Sequence, residues 1–233
     1  MYTELTKRIF TSIILLVVIF SFLIYTNLDF FLYFIIFVGI FCFGEWIVTN
    51  SLLLKKFNKG FEPYVSEMFK NKNFYKSCSL YLFSFIYFLL IVPLSAFYLR
   101  VEVSLNFFLL ILIICIFSDI GGYVFGKTIG GKKLTKISPN KTISGSIGSF
   151  IFSIFPVIFI NLSNVEESFL EFNLINIFFS LFVSLTCQVG DLFFSYFKRL
   201  NNKKNYSKLF PGHGGLLDRI DGLVIVVPIV CLI

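Results

Sequence analysis

Apolar residues run through this chain in long blocks, and polar residues gather between them. Seven blocks approach or reach the roughly 20 residues that a helix needs to cross a bilayer. They are Ile9–Thr26, Phe30–Leu53, Ser79–Tyr98, Leu105–Phe125, Ser146–Leu162, Leu174–Phe194 and Ile220–Ile233, the last being the shortest. The pattern predicts an all-α, polytopic integral membrane protein of about seven transmembrane helices. A single membrane-embedded domain over residues 1–233 is the simplest organisation. No cleavable signal peptide is expected, because Ile9–Thr26 lacks a small-residue cleavage site and runs on into a second span.

Composition agrees. The 233 residues are 57% hydrophobic, 34 of them are Phe, and only 14% are charged, against about a quarter in soluble domains. Charge then orients the helices. Nineteen of the 20 Lys and Arg residues fall in the N-terminus (Lys7, Arg8) and in the loops Lys55–Lys76, Lys127–Lys141 and Lys198–Arg219; Arg100 is the exception. With alternating spans these regions share one face, and the acids Glu166, Glu167 and Glu171 lie on the other. The excess of positive charge predicts a cytoplasmic N-terminus and cytoplasmic basic loops, in a multi-pass protein of the cell (inner) membrane. The net charge of +7 suits anionic headgroups or a polyphosphate ligand and requires no nucleic acid. Cys42, Cys78, Cys115, Cys187 and Cys231 form no C-x-x-C pair and read as packing or lipid-facing residues.

Two of the basic loops concentrate the chemistry. The first follows the fourth block and contains Asp119, Tyr123, Ser138, Asn140, Lys141 and Thr142. Asp119 lies inside an apolar block, where a charge is costly and marks a functional site. Gly122, Gly126 and Gly130 recur every four residues and predict a smooth stripe for close helix packing. Gly121–Thr128 matches the phosphate-loop pattern G-x-x-x-x-G-K-T, which requires a preceding strand. At the end of a membrane helix the match is rejected.

The second loop joins Gly190-Asp191 to Ser195, Lys198 and Arg199, and continues through Pro211, Gly212, His213, Gly214, Gly215, Asp218, Arg219 and Asp221. On a helix Asp191, Ser195 and Lys198 share a face, as do Asp218 and Asp221. Carboxylates and a hydroxyl beside phosphates suit Mg²⁺. Lys198, Arg199 and Arg219 suit phosphate oxygens, and the glycines allow backbone N–H groups to approach an anion. The competing structural reading is a Gly-rich turn flanked by snorkelling cations, which leaves Asp119 and Asp191 unexplained.

The stretch Ser195–Asp221 resembles the signature of the phosphatidate cytidylyltransferase (CDP-diglyceride synthase) family, S-x-φ-K-R … K-D … P-x-H-G-G-φ-x-D-R-φ-D. Ser138-Pro139-Asn140-Lys141-Thr142 resembles its S-P-N/K-K-T element, Asp119 with Tyr123 and Gly126 its D-x-x-A/G-Y-x-x-G helix, and Glu45-Trp46 its early E-W/Y pair. Two positions depart: Asn205 stands where the pattern has Asp, and Ser144 where it has Glu. The resemblance implies attack by phosphatidic acid on CTP, giving CDP-diacylglycerol and pyrophosphate in phospholipid biosynthesis. It implies Asp191 and Asp218 as Mg²⁺ ligands, with a second cation left open, and Asp191, Ser195, Lys198, Arg199, Asp218 and Asp221 as the catalytic set. Asp119, Tyr123, Ser138, Asn140, Lys141, Thr142, His213, Gly214, Gly215 and Arg219 are the expected substrate-binding set. CTP, phosphatidic acid and membrane lipids are the expected partners, and a homodimer is compatible with the sequence. Three alternatives stand beside this reading: a cytidylyltransferase for another lipid phosphate, a non-catalytic relative, and a secondary transporter. A transporter is expected to show related halves, and no internal repeat is visible.

Overall fold

A computed structural model describes residues 17, 20–57, 72–135, 137–162, 171–209 and 214–233. Residues 20–25 are helical. The helices that follow are α1 (Leu28–Phe57), α2 (Lys72–Ile86), α3 (Val92–Tyr98), α4 (Leu105–Thr128), α5 (Ile143–Leu162), α6 (Leu174–Leu200) and α7 (Leu217–Cys231). π-Helical turns at Tyr87–Ile91 and Leu99–Val103 flank α3 and make one continuous span of Ser79–Val103. Pro93 lies just after the first of these turns. A proline ring cannot donate to the helical ladder, and a wider turn relieves its clash with the preceding carbonyls.

Among the described residues, Leu28–Asn50, Ser79–Val103, Leu105–Thr128 and Leu174–Leu200 are each long and apolar enough to cross a membrane. The protein is therefore an all-α, multi-pass membrane protein. Among the described residues shorter helices accompany these four: Ile143–Phe159 is apolar but shorter, and α7 has 15 residues. Most of Ile9–Thr26 lies outside the described residues, as do Lys7, Arg8, Glu166, Glu167 and much of the Lys55–Lys76 loop.

The chain forms two compact units, Met1–Phe97 with Leu200–Arg219 and Tyr98–Arg199 with Ile220–Ile233. In the first unit, α1 packs on the Tyr87–Ile91 turn through Gly39, where any Cβ would collide with the Phe88 carbonyl. Buried Trp46 and Phe88 lie beside each other with ring centroids 6.1 Å apart.

The second unit is organised by α4, α5 and α6. Side chains cap these helices where free N–H groups need partners: Ser104 Oγ accepts from Phe107 N–H (3.0 Å), Thr142 Oγ1 from Gly145 N–H (3.1 Å) and Asn173 Oδ1 from Asn176 N–H (2.8 Å). Helices α4 and α5 meet glycine to glycine, since a methyl group at Gly148 would strike Phe125 and the Gly121 carbonyl. The predicted stripe holds at Gly122 and Gly126 but not at Gly130: the helix ends at Thr128, and Gly130 turns into the loop with φ +62°. Residues Gly121–Thr128 are helical throughout, as the rejection of a phosphate loop requires. Between helices, Ser118 and Ser184 share a buried hydrogen bond of 2.8 Å, and Ser146 donates to Gln188 Oε1. Cys42, Cys115 and Cys187 are buried thiols.

Replacing Gly148 by alanine is expected to destabilise the protein by about 1–3 kcal/mol, the usual cost of overpacking. Thermal unfolding of the detergent-solubilised chain measures this, with Gly44→Ala as the control: no atom lies within 4 Å of a Cβ at Gly44.

Candidate functional site

Helix α6 of the second unit presents the predicted face. Ser195 Oγ, one turn beyond Asp191, donates to its Oδ1 at 3.3 Å. Lys141, from the loop between α4 and α5, forms an ion pair with Asp191 Oδ2. One turn further along α6, Lys198 Nζ lies 3.6 Å from Asp221 Oδ2, and both side chains are largely buried. Asp221 also lies in the electrostatic range of Asp191 and Asp119. Three carboxylates and two lysines thus share one neighbourhood of the second unit, with Asp119 exposed and the Lys198–Asp221 pair largely buried, where the charges would cost too much without pairing.

The loop that supplies Lys141 is closed by backbone pairing. Leu134 N–H donates to the Lys141 carbonyl (2.8 Å), and Ile143 N–H to the Lys132 carbonyl (3.0 Å). Ser138 N–H donates to Thr135 Oγ1 (3.2 Å), and its carbonyl accepts from Lys141 N–H (3.1 Å). Arg199 Nε donates to the Ile137 carbonyl (3.4 Å), fastening the end of α6 to this loop. Thr142 caps α5, and Ser144 donates to the Gly130 carbonyl. Asn140 is exposed. Tyr123 is exposed on α4, where its hydroxyl accepts from Lys127 Nζ at 3.2 Å.

The first unit holds the other predicted residues. Asp218 stands in the first turn of α7, where a carboxylate complements the helix dipole. Its Oδ2 accepts from Tyr206 N–H (2.8 Å) and Gly215 N–H (2.9 Å), drawing the two sides of the glycine-rich loop together. Gly214 has φ +87°, a conformation that favours glycine, and a Cβ there would sit 2.8 Å from Asp218 Oδ2 and 3.1 Å from Asn205 Cγ. Asn205, where the signature has an acid, therefore converges with Asp218 on the same glycine. Arg219 is exposed, and its N–H donates to the Leu216 carbonyl (2.9 Å). Pro211, Gly212 and His213 lie outside the described residues.

Glu45 is the residue that sequence reasoning left without a role. Buried on α1, it accepts from Ser207 Oγ (2.6 Å), Leu216 N–H (3.0 Å) and Leu217 N–H (2.8 Å). Its neighbours on α1 hold the same segment: Asn50 Oδ1 accepts from Asn201 Nδ2 (3.0 Å), and Thr49 Oγ1 donates to the Tyr206 carbonyl (3.3 Å). The available signal was an acid in the middle of an apolar block. An open, largely apolar groove of about 470 Å³ adjoins Glu45, lined by Ile40, Phe41, Gly44, Val48, Ser207 and Leu209 among others.

Among the described residues no group of three or more His, Cys, Asp or Glu side chains is arranged to hold a metal ion. The donor chemistry nevertheless fits Mg²⁺, which takes one or two carboxylates and completes its shell with water and substrate phosphates. Asp191 and Asp218 are each hard oxygen donors of this kind.

A sequence profile of the cytidylyltransferase family matches residues 53–233. Among similar proteins, a phosphatidate cytidylyltransferase of Rickettsia bellii is 39% identical over 144 residues, covering 59% of this chain and 62% of the relative. One of Staphylococcus haemolyticus is 39% identical over 139 residues, 57% of this chain and 50% of the relative. One of Helicobacter pylori is 33% identical over 114 residues, 49% of this chain and 41% of the relative. The chain spans about half the length of the curated relatives it matches.

Proposed function

The chain belongs to the cytidylyltransferase family, and from that premise we propose that it transfers CMP from CTP to phosphatidic acid. A lipid phosphate oxygen bonds to the α-phosphorus of CTP. The bond from that phosphorus to the bridging oxygen breaks, and pyrophosphate leaves with the electron pair. The observation that carries the reading is the pairing of Lys141 with Asp191 and of Lys198 with Asp221. These are carboxylates and cations in the mixture that a polyphosphate with its counter-ion requires.

The nucleophile is already an anion, so no strong general base is needed; positioning and charge neutralisation supply the catalysis. Lys141, Lys198 and Arg199 neutralise phosphate charge, and Ser195 holds the orientation of Asp191. Gly214, Gly215 and Arg219 serve the nucleotide phosphates in this reading, a role expected also of His213, which lies outside the described residues. Asp191 and Asp218 would hold Mg²⁺, which when bound neutralises phosphate charge and favours departure of pyrophosphate. The positive charge of the loops supports a cytoplasmic location for them and for the N-terminus, in the inner membrane. CTP then arrives from water and the lipid from the bilayer.

The test is conversion of labelled phosphatidic acid to CDP-diacylglycerol by the purified chain with CTP and Mg²⁺. Activity that follows CTP and fails with ATP supports the proposal. No turnover with any cytidine nucleotide, together with CTP-independent solute uptake into vesicles, overturns it in favour of a transporter. Within this reading, Asn205→Asp tests the departure from the signature. A second carboxylate beside Asp218 is expected to lower the Mg²⁺ concentration for half-maximal rate several-fold, by opposite-charge attraction at short range.

A further inference from the structure

We propose that Glu45 is a positioning residue of the nucleotide-transfer site, holding in place the glycine-rich segment that carries Asp218. The inference rests on the functional reading above. It concerns a residue 160 or more positions before that segment, on a different helix.

The geometry is that of a clamp. One carboxylate takes Ser207 Oγ and Leu216 N–H on Oε1, and Leu217 N–H on Oε2. Ser207 precedes the glycines and Leu216 and Leu217 follow them, so a single side chain grips both ends of the turn. Leu216 and Leu217 stand at the start of α7, where backbone N–H groups have no partner within the helix. Asp218 is the next residue. Its own Oδ2 closes the turn from inside, through Tyr206 and Gly215. Glu45 thus sets where α7 begins, and Asp218 inherits that position.

A second observation points the same way. A Cβ on Gly215 would sit 2.5 Å from each carboxylate oxygen of Glu45. Gly215 has no positive φ to explain it; the close approach of Glu45 requires the glycine. Trp46, the next residue on α1, packs its ring on Tyr206 with centroids 6.2 Å apart, bracing the clamp from the other side. The early Glu-Trp pair and the late Gly-Gly pair therefore belong to one mechanical element.

The experiment uses the full chain, purified in detergent, as wild type, Glu45→Gln, Glu45→Ala and Ser207→Ala. Glutamine keeps an acceptor at one position but sets an amine against a backbone N–H; alanine removes all three bonds. Displacing a reacting group by about 1 Å costs on the order of a hundredfold. Glu45→Ala is therefore expected to lower kcat about a hundredfold and Glu45→Gln about tenfold, with KM for phosphatidic acid unchanged. Ser207→Ala is expected to slow the wild type, yet in a double variant to add little to Glu45→Ala, because both changes remove the bond between the two side chains and Ser207→Ala removes only one further bond, from Leu209 N–H. Amide hydrogen exchange is expected to accelerate at Leu216 and Leu217 while α4 and α5 keep wild-type protection. Wild-type turnover and exchange in Glu45→Ala would overturn the inference. So would a loss of kcat matched by faster exchange throughout the chain, which marks general destabilisation. If the wild type itself is inactive, the functional reading fails, and the exchange pattern still decides whether Glu45 holds the segment.

Discussion

Asp218→Asn is expected to lower turnover about a thousandfold while leaving the chain folded. Two losses combine in this one change. The carboxylate charge proposed to hold Mg²⁺ disappears, and electrostatic stabilisation of that kind supplies several kcal/mol to a transition state, where about 4 kcal/mol is a thousandfold in rate. The amide also puts a donor or a weaker acceptor where Oδ2 now accepts from Tyr206 and Gly215. A buried donor left unmatched costs about 1–3 kcal/mol. The asparagine has an escape, because its remaining oxygen can turn toward the two N–H groups. That rotation keeps the loop closed and directs the amine to the site, so rate is lost more than stability. The checks are kcat at saturating CTP and lipid, and the unfolding midpoint in detergent. A variant within tenfold of wild type would remove Asp218 from the catalytic set.

The second large effect belongs to Lys198. Lys198→Met is expected to destabilise the second unit by about 3–5 kcal/mol, because removing one partner strands a buried charge. Asp221 would lose its cation while Asp191 and Asp119 remain in electrostatic range. The double change Lys198→Met with Asp221→Asn is expected to recover most of that stability, since it leaves no uncompensated ion. Turnover is not expected to return, because the cation proposed for phosphate is absent from both variants. Thermal unfolding and CTP turnover, measured on the same three proteins, separate the two effects. Recovery of activity in the double variant would make the pair structural only.

What the sequence revealed depended on how far apart the partners lie along the chain. Asp191 and Ser195 are one helical turn apart, so spacing alone placed them together, and the hydrogen bond is present. The membrane helices were legible for the same reason, since a span is a local property of about 20 residues. Pairings between distant segments were not. Nothing in the spacing of Lys141 and Asp191, or of Lys198 and Asp221, indicates that they meet. Glu45 is the clearest case: its three partners come from the other end of the chain, and an isolated acid in an apolar block marks only that a use exists. Gly130 failed differently. The four-residue stripe assumed a helix that continues, whereas α4 ends at Thr128 and Gly130 adopts a positive φ in the loop. Thr142 also carries a local task beyond the one predicted, since its hydroxyl caps α5.

Asn205 and Ser144, the two departures from the signature, occupy structured places. Ser144 donates to the Gly130 carbonyl and joins the two ends of the α4–α5 loop. Asn205 lies against Gly214, where a Cβ would sit 3.1 Å from its Cγ. Ser144 thus supports the loop in which it sits, and Asn205 stands beside the glycine that Asp218 approaches.

In the proposed reaction CMP, and not a terminal phosphate, moves to the lipid. The most direct measurement follows label from CTP into the organic phase after incubation with the purified chain, phosphatidic acid and Mg²⁺. With label on the α-phosphorus, radioactivity is expected to enter the lipid. With label on the γ-phosphorus, all of it is expected to stay in water, as pyrophosphate and unreacted CTP, and Asp191→Asn is expected to abolish transfer of the α label. Label from the γ-phosphorus in the lipid would mean a kinase, and no transfer of either label would rule out cytidylyl transfer to phosphatidic acid.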